Sequence, residues 1–349
     1  MGNLLIRHYE KSNYVIFFDR NNGTFCRFGK NDIDPFFNIT GPELLDIAIT
    51  NYCEKECGFC YRRSSRLGKF MPLDDYKHVM EEASKVGVLQ VALGGGNPNQ
   101  HPQFTQILEI TRKHDIMPSY TTNGQGMTDE IYAATKKLCG AMAVSWYEPY
   151  IEAETVIKQA GIHKITVNIH FLLSKNSLTQ AIHLLETRND ILENVNAIIF
   201  LNYKPIHSPE SLCLSDGDEI KYFFELVKKI KICKIGFDSC MVSYLPLMGE
   251  DLVLETVDFC EAGRFSAYIS EELLFYPCSF LNDISKNGIS LKTTSLEDAW
   301  TNGEEFVSVR KKLNSPGMQN FPISKCHNCQ SYALCHGGCQ ILDINRCRI

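Results

Sequence analysis

Cys53, Cys57 and Cys60 stand in the spacing C-x3-C-x2-C within the stretch Asn51-Tyr-Cys-Glu-Lys-Glu-Cys-Gly-Phe-Cys-Tyr61. Three thiolates on one short loop can converge on one soft metal centre, and thiolates select zinc, Cu(I) or iron–sulfur clusters. Three ligands where four are usual leave one metal position open, which suits chemistry rather than scaffolding. A structural zinc loop or three buried thiols are the plainer readings of the same residues. A second concentration begins with Cys260 and Cys278 and continues as Cys326-x2-Cys329-x5-Cys335-x3-Cys339, with Cys347 near the end. Seven cysteines with two tight pairs exceed what one tetrahedral zinc requires, and two clusters of up to four ligands account for the count better.

These residues need a frame. The apolar run Leu44 to Ile49 reads as a buried strand that delivers the first cysteine loop. Further strands are expected near 88–93, 116–121, 141–146, 163–172 and 195–202. Amphipathic helices are expected near 73–86, 102–114, 128–138, 150–160, 177–188 and 217–231. Strands alternating with helices of this length imply parallel β/α units. Six units are too few for a closed eight-fold barrel, so the expected fold is α/β, a partial (β/α)6 TIM-like barrel with its site at the strand C-termini. Residues 1–40 alternate around Asn21-Asn22-Gly23 and read as a small β-hairpin cap. The expected division is 1–40 for the cap, 41–250 for the barrel and 251–349 for a cysteine-rich C-terminal domain. There Cys260 and Cys278 flank a hairpin, and a helical interval spans Leu296 to Leu313.

Two more strand ends carry glycine-rich turns: Gly94-Gly95-Gly96-Asn97-Pro98 and Thr121-Thr122-Asn123-Gly124. Glycine there allows a ligand to approach the backbone closely. In register with the cysteine loop, these turns resemble the radical S-adenosylmethionine (radical SAM) enzymes. The resemblance implies that Cys53, Cys57 and Cys60 hold a 4Fe–4S cluster whose open iron binds SAM. It also implies that Gly94, Gly95, Gly96 and Asn97, with Thr122 and Asn123, line the cofactor. The family usually has Gly-Gly-Glu-Pro, and Asn97 replaces the Glu. Ser145 matches a position that often faces the SAM ribose, although Tyr147 stands where an acidic residue often follows. Asn168, on the fifth strand, is a similar candidate.

The C-terminal array resembles the SPASM extension of radical SAM enzymes that modify peptides and proteins. By that resemblance Cys326, Cys329, Cys335 and Cys347 hold an outer auxiliary cluster. Cys260, Cys278 and Cys339 hold an inner one, giving three 4Fe–4S clusters in all. Leu273 departs from the glycine of the family pattern. No cysteine lies within 261–277 to complete the inner set, which leaves an open iron, Cys240, another residue or the substrate itself. By itself, Cys240 reads as a buried thiol, and Cys26, Cys139, Cys213 and Cys233 as packing.

Arg62, Arg63, Arg66 and Lys69 are expected on a solvated face, with contact to an anionic group as the alternative. His101, His163, His170 and His183 show no metal spacing and are expected to be structural. A formal net charge of -6, from 35 Lys+Arg against 41 Asp+Glu, argues against a general nucleic-acid or anionic-membrane binder. No apolar stretch approaches the ~20 residues of a membrane helix. The N-terminus lacks the apolar core of a secretory signal, and 15 cysteines without such a signal point to metal in a reducing cytoplasm rather than to disulfides.

The resemblance implies reductive SAM cleavage, hydrogen abstraction by a 5′-deoxyadenosyl radical, and an electron donor such as flavodoxin or ferredoxin. The first expectation is a thioether or carbon–carbon cross-link in a ribosomal precursor peptide. Alternatives are formylglycine formation in a sulfatase, dehydrogenation of a small molecule, or a non-enzymatic iron–sulfur carrier or sensor. The sulfatase route needs a carboxylate at the barrel mouth, for which Asp238 is the one candidate. Forty N-terminal residues are too few for a winged-helix-like leader-binding domain. Either a separate protein recognises the leader, recognition is direct, or the substrate is not such a peptide.

Overall fold

The computed structural model describes residues 3–285, 287–314, 326, 329–342 and 344–348. Seven parallel strands form the frame: β4 (Leu44–Thr50), β5 (Gln90–Gly95), β6 (Met117–Thr122), β7 (Met142–Ser145), β8 (Val167–Leu173), β9 (Ala197–Asn202) and β10 (Lys234–Phe237). They lie in chain order and each pairs in parallel with the next. The helices between them are α1 (Leu73–Val86), α2 (Phe104–Lys113), α3 (Asp129–Leu138), α4 (Ile151–Ile162), α5 (Leu178–Thr187), the short α6 (Asn189–Leu192) and α7 (Asp218–Lys229). The expected elements are present, with ends shifted by a few residues. The sheet does not close on itself, so the architecture is an open, partial barrel.

Local chemistry explains the boundaries. Asp74 and Asp75 open α1, Asp129 and Glu130 open α3, and Asp218 and Glu219 open α7; lysines occupy the last turn of each. Both choices oppose the helix dipole. The Thr128 hydroxyl caps α3 by accepting from the Ile131 N–H at 3.3 Å. The helices cover one face of the sheet, burying rows such as Val167, Ile169, Phe171 and Leu173 in a contiguous core. Alternate residues on β8, namely Asn168, His170 and Leu172, are half-buried and line the open interior. That second, less apolar row is what distinguishes this sheet from a parallel sheet packed on both faces.

The N-terminal cap has one strand more than expected. β1 (Leu4–Tyr9) pairs with β2 (Tyr14–Asp19), which pairs with β3 (Phe25–Gly29), all antiparallel. Arg27 of β3 clamps the cap to the rest: its guanidinium meets Glu43 at 2.8 Å, Asp258 at 3.0 Å and Glu261 at 2.5 Å. Glu43 also accepts from the Tyr14 hydroxyl at 2.5 Å.

After the seventh strand the chain returns to the first. β11 (Ser266–Ile269) pairs in parallel with β4, and β12 (Leu274–Tyr276) and β13 (Ile289–Ser290) follow antiparallel. The expected hairpin is therefore also an extension of the barrel sheet. Its turn shows why the family pattern has glycine where this chain has Leu273. Leu273 adopts a left-handed φ of 64°, which glycine tolerates freely and leucine does not. Its side chain is fully buried, and that burial offsets the backbone cost. The helical interval is split at Gly303, between α9 (Leu296–Asn302) and α10 (Glu304–Asn314). α8 (Leu281–Ile284), a short helix at Tyr332–Cys335 and a 3-10 turn at Arg346–Arg348 complete the described C-terminal part.

Candidate functional site: the cysteine loop at the strand C-termini

The parallel strands point their C-terminal ends to one face, and three of those ends meet around the first cysteine loop. The Gly96 N–H donates to the Thr50 carbonyl at 2.8 Å and the Asn97 N–H to the Tyr52 carbonyl at 2.9 Å. A Cβ on Gly96 would stand 2.0 Å from that Tyr52 oxygen, and one on Gly95, whose φ is 104°, 2.0 Å from the Thr50 oxygen. Glycine is required here to seat the cysteine loop on β5. Gly94 is different, because nothing lies within 4 Å of its would-be Cβ, which leaves open space beside the strand end. We expect Gly96→Ala to displace the loop; for the cluster and SAM that the sequence resemblance implies here, both iron retention and SAM affinity should fall. Equilibrium dialysis with SAM alongside an iron assay checks this, and unchanged values in both would overturn it.

The Thr-Asn-Gly turn completes the cradle. Asn123 Nδ2 lies 3.4 Å from Cys53 Sγ. Asn97 takes a bracing role: its Oδ1 accepts from the Asn123 N–H at 3.0 Å and the Thr122 hydroxyl at 3.3 Å, and its Nδ2 donates to the Gln125 carbonyl at 2.9 Å. Its side chain thus locks the first glycine turn, at the end of β5, to the second, at the end of β6. Cys57 is held from the other side. The Tyr147 hydroxyl hydrogen-bonds to it, while burial, Cys53 and Cys60 push its thiol up from the usual value. Lys55 lies 4.4 Å over the Tyr147 ring and pairs with Glu152, which accepts from Gln125 Nε2 at 3.1 Å. Lys55 carries no motif signal, and Tyr147 stands at a motif position without the acidic side chain usual there. The usable signal was position, since Tyr147 lies just past a strand C-terminus.

Ser145 ends β7 on the same face. Asn168 does not join it: it is the second residue of β8, and its Oδ1 accepts from Asn196 Nδ2 at 2.9 Å, at the opposite end of the barrel. His170 sits level with Ser145, and its Nδ1 is 3.1 Å from the Thr121 hydroxyl. Burial holds its pKa at about 4. His101 bonds the Met71 carbonyl at 2.9 Å and is structural, as expected.

Arg62 is not on a solvated face. It is buried, with Nη2 2.7 Å from Glu271 and Nη1 2.8 Å from Asp283, so it ties the cysteine loop to the C-terminal hairpin and α8. Exposed Lys69 does match the expectation.

Asp46 is a carboxylate inside an otherwise apolar strand, a sequence signal that motif reading passed over. It sits between Tyr268 of β11 and Ala92 of β5 in the sheet. Burial, with the nearby Glu261 charge, raises its pKa from 3.8 to about 7. A raised folded-state pKa means that the native chain binds the extra proton, so stability falls as pH rises from about 4 through 7. Asp46→Asn is therefore expected to raise the melting temperature more at pH 8 than at pH 5. His170 works in the opposite sense, since protonation of the unfolded chain below 6.5 removes stability towards pH 4. A variant whose gain is equal at both pH values would contradict the Asp46 assignment.

The distant cysteines gather in two sets. Cys335 feels Cys347, Cys326 and Cys329 beside it, and burial first, then these charges, push its thiol up to about 12. Cys260 and Cys278 pack in one small cluster with Ala262, Leu281, Val309 and Leu313, and burial first, then the Cys260 charge, push the Cys278 thiol up. The described cysteines are all free of disulfides. Among the described residues no three side chains converge closely enough for a lone metal ion. What the donors fit is a thiolate-selective centre: three half-buried free thiols on a loop seated by glycines, with an amide N–H and a phenol aimed at two of the sulfurs.

Comparison with known proteins agrees with this geometry. Residues 47–170 match the radical SAM superfamily, a span that contains the cysteine loop and both glycine turns. Residues 47–170 therefore carry a radical SAM domain, and that superfamily implies a 4Fe–4S cluster and SAM. More particularly, the chain is 22% identical over 322 residues to the mycofactocin maturase MftC of Mycobacterium ulcerans, covering 86% of this chain and 84% of that one. It is 21% identical over 332 residues to an AdoMet-dependent heme synthase of Methanosarcina barkeri, covering 85% of this chain and 90% of that one. Its fold is that of SuiB from Streptococcus suis, solved with S-adenosylmethionine, at a TM-score of 0.72 and 17% identity over 97% of this chain and 95% of that chain. No helix among the described residues is long and apolar enough to cross a membrane.

Proposed function

We propose that this enzyme modifies a ribosomally made precursor peptide, installing a thioether or a carbon–carbon cross-link. Cys53, Cys57 and Cys60 would hold a 4Fe–4S cluster with SAM beside it, and that pair would supply the one-electron chemistry for reductive SAM cleavage and hydrogen-atom abstraction from the substrate. The chain's own residues position and shield: Asn123 and Tyr147 hold the loop sulfurs, Gly94 leaves room beside the strand end, and Ser145 stands on the rim. The observation that carries the peptide reading is the pairing of this site with two further cysteine sets behind it. It is supported by the span shared with a maturase and by the likeness to SuiB, which has also been solved with its precursor peptide SuiA. We assign Cys326, Cys329, Cys335 and Cys347 to an outer auxiliary cluster, and Cys260, Cys278 and Cys339 to an inner one. A flavodoxin or ferredoxin would supply the electron. Asp238, the candidate base for a sulfatase-type reaction, is instead engaged by Lys204.

The test is anaerobic incubation of the reconstituted enzyme with SAM, reductant and candidate precursor peptides. The expected result is 5′-deoxyadenosine together with a peptide lighter by two hydrogen atoms. Production of 5′-deoxyadenosine with every such peptide unchanged in mass would favour a small-molecule substrate, as the heme synthase likeness allows.

A further inference from the structure

The inner cysteine set lacks a fourth member within 261–277, and the tertiary structure brings one from elsewhere. Cys240 follows the seventh strand, β10, and the side chains of Cys240 and Cys339 hydrogen-bond to each other. Cys260 and Cys278 lie close enough to Cys240 for its charge to act on both.

The backbone holds this arrangement in place. Asn202, at the end of β9, is buried, and its Nδ2 donates to the Cys240 carbonyl at 3.1 Å and to the Ile344 carbonyl at 3.4 Å. One side chain therefore ties the barrel's last loop to the segment that carries Cys339. The Ser243 hydroxyl accepts from the Arg346 N–H at 2.9 Å and repeats that tie one turn later. Within the segment, Asn345 Oδ1 accepts from the Cys339 N–H at 2.8 Å, and the Leu342 N–H points at Cys339 Sγ at 3.2 Å. An N–H aimed at a cysteine sulfur is how such sites stabilise thiolate charge. Lys204, buried and paired with Asp238, adds a positive charge near both Cys240 and Cys339.

We propose that Cys240 is the fourth ligand of the inner auxiliary cluster, joining Cys260, Cys278 and Cys339. This rests on the assignment of an inner cluster to that set. Four protein thiolates leave no iron position for a substrate sulfur, which makes the site an electron relay rather than a holder of substrate.

The experiment uses the full chain carrying C53A, C57A and C60A, so that only auxiliary clusters contribute. About 8 iron per chain are expected after anaerobic reconstitution. Added cyanide or a small thiol should leave the reduced-state electron paramagnetic resonance spectrum unchanged. Adding Cys240→Ala should open one iron: the spectrum then shifts with cyanide, and mild oxidation yields a three-iron signal. Cys240→Ser, which keeps the volume, should retain the iron but move the spectrum. A parent whose spectrum already responds to cyanide overturns the proposal, as does a Cys240→Ala or Cys240→Ser spectrum identical to the parent's. A parent that binds only about 4 iron would instead remove the inner cluster itself, a separate failure of the underlying assignment.

Discussion

Cys57→Ala is expected to reduce 5′-deoxyadenosine formation to background and to remove about 4 iron per chain. Cys57 is the middle donor of the loop, held between the Tyr147 hydroxyl and the Lys55 charge. Two remaining thiols cannot hold a four-iron centre and still present an open iron to SAM. Cys57→Ser should not restore activity, because the centre selects soft sulfur over a hydroxyl. The cysteines proposed for the auxiliary clusters lie on other segments, so any iron they hold should stay. Tyr147→Phe separates the loop's ligands from their surroundings: it keeps the ring that packs against Phe59 at 5.3 Å and removes only the hydrogen bond. That variant should keep its iron and lower the reduction potential of the site, since a donated hydrogen bond favours the more negative state. SAM cleavage by Cys57→Ala at near-normal rate would place the active centre elsewhere.

Arg62→Ala should cost about 3–5 kcal/mol of folding stability, the usual penalty for stranding buried charge. The guanidinium is 3% exposed, and its partners Glu271 and Asp283 are 11% and 15% exposed, so water screens little of the interaction. Removing the arginine strips Glu271 and Asp283 of the guanidinium they share. Arg62→Lys should recover only part of the loss, because one ammonium cannot match both carboxylates as a planar guanidinium does. Urea melts of the single variant and of Arg62→Met combined with Glu271→Gln and Asp283→Asn test the cause. The combined variant should be more stable than Arg62→Met alone, since no charge is then left unpaired. If the added substitutions only subtract, the cost lies in lost packing, for instance against Tyr268, whose ring lies 5.7 Å from the guanidinium carbon. The same link bears on function, because Arg62 is two residues beyond Cys60 and anchors that loop to the C-terminal hairpin.

The chemistry was legible in the sequence wherever ligands or turns are local. Cys53, Cys57 and Cys60 lie on one loop, and the glycine turns after β5 and β6 announce themselves by composition, because only glycine allows backbones to approach so closely there. The helices and parallel strands follow from periodicity, a short-range property. Tertiary structure decided everything that depends on long-range pairing. Arg62 reads as a surface charge until residues 271 and 283 come to meet it. Asn168 reads as a site residue until its place at the N-terminal end of β8 puts it at the far end of the barrel. The return of β11 to β4 cannot be seen from either strand, since the pairing joins residues more than 200 apart. Cys240 is the sharpest case. In the chain it is a single thiol after a strand, and only the folding of the C-terminal segment against Asn202 sets it beside Cys339.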